Sequence, residues 1–180
     1  MRVITGSARG RNLITLPGED ITRPTTQSTK EALFSSIQFE LEDTQVLDLF
    51  AGCGQLGIEA LSRGARFCTF VENNRSAFKI VEENVKKCGF EESSSIVFAD
   101  ALSFLSRRGG YDIALLDPPY NLGLIEECLE KLVLKMNDGG VIICETAKGE
   151  ALPEKVGEWR QTKAKAYGKS KLTYYRKGQD

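Results

Sequence analysis

Two stretches of this sequence carry groups that can do chemistry without imidazole, and the chain contains no histidine. The first is Asp117-Pro118-Pro119-Tyr120, which follows the apolar run Tyr111–Leu116. Two prolines fix φ and stop a strand abruptly, and they hold the preceding aspartate in extended backbone. A carboxylate and an aromatic ring then bracket a rigid exit. An exocyclic nucleobase amine is planar and poorly nucleophilic. The Asp117 carboxylate and the Pro118 carbonyl can each accept one of its N–H bonds, and Tyr120 offers a face on which an extruded base stacks. The second stretch is Ala51-Gly52-Cys53-Gly54-Gln55-Leu56-Gly57, which follows the apolar run Val46–Phe50. Its glycines allow positive φ and close backbone approach, and they spell the nucleoside-cofactor pattern GxGxxG.

Asp48 and Glu72 decide between cofactors. Glu72 lies twenty residues after Gly52, where an acid can accept ribose hydroxyls. Asp48 stands just before the loop, where a dinucleotide would place its pyrophosphate on the helix N-terminus. A carboxylate a few ångströms from a diphosphate costs on the order of 1–4 kcal/mol in a partly solvated site. S-adenosylmethionine carries a sulfonium and an ammonium instead, and an acid there suits it. Asp100 can accept from the adenine amine while the Ala101 N–H donates to the ring; Phe50, Ala51 and Asn73 complete the expected cofactor set with Gly52, Gly54, Gly57 and Asp117. Because that donor is already activated, no general base is required, and orientation supplies most of the rate. The proton can leave through Asp117 or water.

The elements that must position these residues follow from the pattern. Gln45–Phe50, Phe67–Val71, Ser95–Phe98, Tyr111–Leu116 and Val141–Glu145 read as strands. Helices over Gln55–Arg63, Arg75–Lys87, Ala101–Arg107 and about Leu124–Lys135 alternate with them. Such alternation predicts parallel βαβ units with helices on both faces. Trp159–Tyr167 and Lys171–Lys177 read as two further strands around Gly168, an antiparallel edge. Ahead of the sheet, Thr25 or Thr26 can cap a helix whose buried side is Ala32, Leu33, Phe34 and Ile37. Residues 1–22 are expected to form a small hairpin appendage, Val3–Thr5 against Leu13–Leu16, on a single methyltransferase-like domain of residues 23–180.

Composition narrows the class further. With 180 residues, 41% hydrophobic and 27% charged, the chain supports one globular domain and excludes disorder and fibrous classes. No apolar run reaches the ~18 residues of a membrane span, and no signal-peptide core opens the sequence, so a cytoplasmic protein is expected. Five cysteines, an odd number with no CxxC pair, argue against a zinc site, and no metal is expected. The net charge of −1 hides a segregation. Residues 1–30 hold five Lys/Arg against two acids, residues 150–180 hold eight against four, and the middle holds eleven against nineteen. Basic ends around an acidic middle suit a polyanionic partner, with Arg9 and Arg11 flanking Gly10 at a hairpin tip.

These residues together resemble the RsmD family of bacterial 16S-type ribosomal RNA guanine-N2 methyltransferases. Gly6, Arg9-Gly10-Arg11, Leu13, Pro17, Arg23-Pro24-Thr25 and Glu31-Ala32-Leu33-Phe34 follow the family's opening. The run Val46–Ala65 matches its cofactor motif, Asp117-Pro118-Pro119-Tyr120 its catalytic motif, and Tyr167-Gly168 precedes the last strand as in the family. The resemblance implies a Rossmann-like methyltransferase sheet of seven strands with an antiparallel strand near one edge. It also implies S-adenosylmethionine as donor and a guanine N2 of small-subunit rRNA as acceptor, met in a partly assembled subunit by a monomer. Arg9, Arg11, Arg23, Thr25 and Lys30, with Lys169 and Lys171 at the far end, are the expected RNA contacts. After Thr26 the family's basic run is replaced by Gln27-Ser28-Thr29-Lys30, which removes one arginine fork and turns another into lysine. Adenine-N6 methylation of DNA or RNA, an NAD-dependent oxidoreductase, and a non-catalytic rRNA assembly factor are the alternatives. The first lacks room for a separate target-recognition domain.

Overall fold

A computed structural model describes residues 1–17, 27–107, 109–120 and 123–178. Helix α1 (Gln27–Ser36) leads into a βα alternation: β1 (Gln45–Asp48), α2 (Gln55–Ser62), β2 (Phe67–Glu72), α3 (Arg75–Cys88), β3 (Ser94–Phe98), α4 (Ala101–Phe104), β4 (Tyr111–Leu116), α5 (Leu124–Leu132) and β5 (Met136–Ala147). Three more strands end the chain, β6 (Lys155–Val156), β7 (Trp159–Tyr167) and β8 (Ser170–Lys177). They form one sheet of order β3-β2-β1-β4-β5-β8-β7-β6. The five strands from β3 to β5 are mutually parallel, whereas β8 is antiparallel to both β5 and β7.

The expected α/β class is thus present, and among the described residues the sheet has one strand more than the seven implied. The eighth is the two-residue β6, which turns back on β7 through Gly157 and is too short for any periodicity to reveal. Strand β5 also begins five residues earlier than its apolar run. Met136 pairs with Tyr111, and the ladder is irregular until Val141 resumes it opposite Ile113.

The strands are apolar in both parities because both faces are covered. Val46, Ile113, Leu115, Val141 and Ile143 point to one side, where they pack with Phe34 and Ile37, with Ile58 of α2 and with Val81 and Val85 of α3. Leu47, Ala114, Leu116, Ile142 and Cys144 point to the other, against Phe104 and the α5 residues Ile125, Cys128, Leu129 and Leu132. All five cysteines are buried and form no disulfide; Cys68 and Cys88 fill one layer, Cys128 and Cys144 the other.

The N-terminal hairpin closes on a single antiparallel bridge, Arg2 to Asn12, and not on two short strands. Val3, Ala8 and Leu13 are buried in the same layer as α1 and α2, and hydrogen bonds to helix side chains replace the ladder. The Ile4 and Thr5 amides donate to the two oxygens of Glu59 at 2.8 and 3.0 Å. The Ile14 amide donates to Asn84 Oδ1, and Asn84 Nδ2 donates back to the Ile14 carbonyl. The expected cap of α1 at Thr25 or Thr26 lies outside the described residues, as does the boundary at residue 22.

Near the far edge, β7 carries a bulge. Gln161 lies opposite Tyr175 but Lys163 lies opposite Tyr174, so Thr162 is an extra residue in the ladder. A bulge changes which face each later side chain takes. Lys163, Lys165 and Tyr167 are therefore opposite Tyr174, Leu172 and Ser170, on the same side of the sheet as α1.

Candidate active site

The strand order reverses between β1 and β4, and a crevice opens there at the C-terminal ends of the parallel strands. The cleft has a volume of about 540 Å³; Phe50, Gly52, Glu72 and Asn73 line one part, Asp117, Pro119 and Tyr120 another. The glycine loop and the Asp-Pro-Pro-Tyr turn, read separately from sequence, face one space.

Each glycine of the loop answers a different demand. Gly52 and Gly54 sit at φ +57° and +81°, the left-handed region that turns β1 sharply into α2. Gly57 lies within α2 and is a matter of space: a Cβ there would fall 2.3 Å from the Phe70 ring and 2.6 Å from Cys68 Sγ. Gly57 was expected to touch cofactor. It is instead buried where α2 crosses β2, and its amide donates to Asp48 Oδ2 at 2.9 Å. The match to GxGxxG is right for the turn, while the last glycine serves helix–sheet packing.

Asp48 is only 1% exposed and lies behind the loop, not at the cleft surface. Its Oδ1 is buried and has no hydrogen-bond partner among the described residues. Burial pushes its carboxyl up to about 7, against the pull of the Gly57 amide and with help from the charges of Asp117 and Glu72. Glu72 braces the other side of the loop, accepting from the Gly52 amide at 2.8 Å and the Asn74 amide at 2.7 Å. Asn74 in turn caps α3 through the Ser76 and Ala77 amides. Asp100 accepts from the Ser103 amide as the cap of α4, and the Ser103 hydroxyl and amide hold its carboxyl below the ordinary carboxylate value. Neither Asp100 nor Ala101 lines the cleft. No basic side chain lines the cleft among the described residues, and its acids favour a cationic occupant over a diphosphate.

Asp117 is 7% exposed at the end of β4, and Pro118 is buried behind it. Tyr120 is fastened at its far end. Its hydroxyl donates to Glu145 Oε1 at 3.1 Å and lies 2.9 Å from Ser170 Oγ. Burial, with the charges of Glu145 and Asp117 adding to it, pushes the phenol up to about 12, so it remains a neutral donor. Glu145, Ser170 and Asn84 escaped the sequence reading. So did Leu16, which brings the N-terminal segment to the cleft wall. Asn84 Nδ2 also donates to the Cys53 carbonyl at 2.8 Å, tying that segment to the glycine loop. A buried polar residue in an apolar helical stripe was the only available signal.

The expected RNA contacts divide. Arg9 and Arg11 are exposed, with the Arg11 guanidinium donating to the Lys87 carbonyl at the end of α3. Lys169 is exposed in the β7–β8 turn. Lys30 is a correction: it is 2% exposed, 3.1 Å from Glu59 Oε2 and 3.1 Å from the Arg2 carbonyl. Its amphipathic helix turns it inward because Glu59, also holding Arg63 at 2.8 Å, needs a cation. Lys171 lies opposite Ala166, on the face away from α1, and its ammonium donates to the Glu150 carbonyl. Arg23 and Thr25 lie outside the described residues.

The family model described as Conserved hypothetical protein 95 matches residues 1–176. Ribosomal RNA small subunit methyltransferase D of Escherichia coli K12 is 34% identical over 98% of this chain and 90% of its own length. The protein of the same name from Haemophilus influenzae is 35% identical over 93% and 89%. The solved structure of yhhF from Escherichia coli superposes with a TM-score of 0.88 at 31% identity, covering 98% of this chain and 97% of that one. A shared sheet, a glycine loop and an Asp-Pro-Pro-Tyr turn on one cleft, and likeness along the whole length place this chain in the RsmD family of methyltransferases.

Proposed function

We propose that this protein methylates the exocyclic N2 of a guanine in small-subunit ribosomal RNA, with S-adenosylmethionine as donor. The observation that carries the reading is the convergence of Asp117, Pro119 and Tyr120 with Gly52, Glu72 and Asn73 on one acidic cleft. Relatives named ribosomal RNA small subunit methyltransferase D, similar end to end, support the substrate class.

S-adenosylmethionine, when bound, supplies an electrophilic methyl group on a positively charged sulfur. The residues fit such a cation: Asp48 keeps a buried oxygen with no partner among the described residues behind the loop, and Glu72 and Asp117 add charge beside it. Glu72 would take the ribose hydroxyls, and Phe50, Gly52 and Asn73 the nucleoside. Asp117 and the Pro118 carbonyl would each accept one N–H of the guanine amine, fixing its plane. Tyr120, held rigid by Glu145 and Ser170, would stack on the base. A group so placed works by orientation, and no titrating base is needed. A cytoplasmic protein acting on a partly assembled subunit accords with this reading.

Radiolabelled methyl transfer to small subunits from a strain lacking the protein, with mass-spectrometric mapping of the product nucleotide, tests it. Asp117→Ala should abolish transfer while calorimetry still detects cofactor binding. Label on adenine, or none with an active control enzyme, overturns it.

A further inference from the structure

We infer that the α1-side face of β7 is a track for single-stranded RNA leading to the acceptor end of the cleft. This rests on the proposed reaction for its occupant, and on the sheet's register for its position. Beyond the bulge at Thr162, Lys163, Lys165 and Tyr167 share that face; Arg160, opposite Arg176, lies on it too. Arg160, Lys163 and Lys165 are exposed. Among the described residues none of the three is paired with a carboxylate, whereas Arg176, Lys177 and Arg66 are. Instead, Lys163 lies 5.1 Å from the centre of the Tyr174 ring and Lys165 lies 5.4 Å from that of Tyr167. Such contacts hold an ammonium over a ring without neutralising it, which leaves the charge available to a polyanion.

The row also has a direction. β7 runs parallel to β5, so its Tyr167 end lies at the cleft end of the sheet. Tyr167 is opposite Ser170, and Ser170 Oγ is 2.9 Å from the hydroxyl of Tyr120. From Lys163 to Tyr167 the strand rises ~13 Å, enough for a short stretch of extended strand. Alternating cations and an aromatic face are what single-stranded nucleic acid meets in sequence-tolerant grooves: phosphates on the lysines, a base on the ring. Nucleotides flanking the target guanine would lie here while the guanine enters beside Tyr120. Lys171, on the opposite face, takes no part.

The test uses the full-length protein and small subunits from a strain lacking it. Lys163→Ala/Lys165→Ala should weaken subunit binding tenfold or more. It should also reduce the slope of log affinity against log salt by about 1.4, from two lost single-strand phosphate contacts. KM for the subunit should rise with kcat and cofactor affinity unchanged. Tyr167→Ala should weaken binding severalfold with no change in slope. Arg107→Ala/Lys131→Ala, removing equal charge on the other side of the sheet, should do neither. A lysine variant that binds like this control overturns the track. If the wild-type protein transfers no methyl, the proposed reaction fails, and the binding measurements still decide the track.

Discussion

Replacing Asp48 with Asn should flatten a pH dependence of stability that the wild-type chain owes to this one carboxyl. In the fold its pKa lies at about 7, against 3.8 ordinarily, chiefly because burial disfavours the charge. Between those values the unfolded chain holds Asp48 ionised and the folded chain holds it protonated, so folding takes up a proton. The unfolding free energy therefore falls as pH rises from about 4 to about 7, and levels off above. Each pKa unit is worth about 1.4 kcal/mol, so the fall approaches roughly 4 kcal/mol. Asn keeps the oxygen that accepts from Gly57 and cannot ionise. Urea unfolding at pH 5 and pH 8 should show wild-type stability dropping relative to the variant by a few kcal/mol. Saturating S-adenosylmethionine should restore the wild type more than the variant at pH 8, because a cation favours the ionised carboxylate. Parallel stability profiles would refute the assignment of charge strain to this residue.

Gly57→Ala should destabilise by ~1–3 kcal/mol, since its methyl group meets Phe70 and Cys68 in a packed layer; the urea midpoint reads this. Glu59→Ala should cost ~3–5 kcal/mol by leaving Lys30 buried without its partner and freeing the Ile4 and Thr5 amides. Adding Lys30→Met should recover part of that loss, measured as a double-mutant cycle. Tyr120→Phe should lower kcat/KM roughly five- to tenfold, the equivalent of ~1–1.5 kcal/mol for its lost hydrogen bonds, with cofactor affinity unchanged in calorimetry.

The parallel half of the sheet was legible in the sequence because buried strands are apolar in both parities and the helices between them carry the 3.6-residue stripe. The cleft was legible too, since glycine and proline mark the strand exits where ligands bind. What escaped depends on contacts distant in sequence. Lys30 reads as a surface cation until Glu59, twenty-nine residues on, is brought beneath it. Asp48 reads as a group facing the cleft, and only the path of α2 shows it pinned behind the loop by Gly57. Glu145 and Ser170 matter because Tyr120 reaches them across the sheet, and no local pattern announces that. The hairpin's arginines were legible as charge, but its few backbone pairings are replaced by Glu59 and Asn84, which a ladder-based reading misses.

The extra residue at Thr162 separates what the edge of the sheet shows outward from what its interior requires. Because Gln161 and Lys163 already lie opposite Tyr175 and Tyr174, loss of the Thr162 codon would close the ladder with every other pairing of β7 kept, and the lysines would stay on their face. Such a strand takes a change of length at one position without disturbing either its outward row or the cofactor half of the sheet.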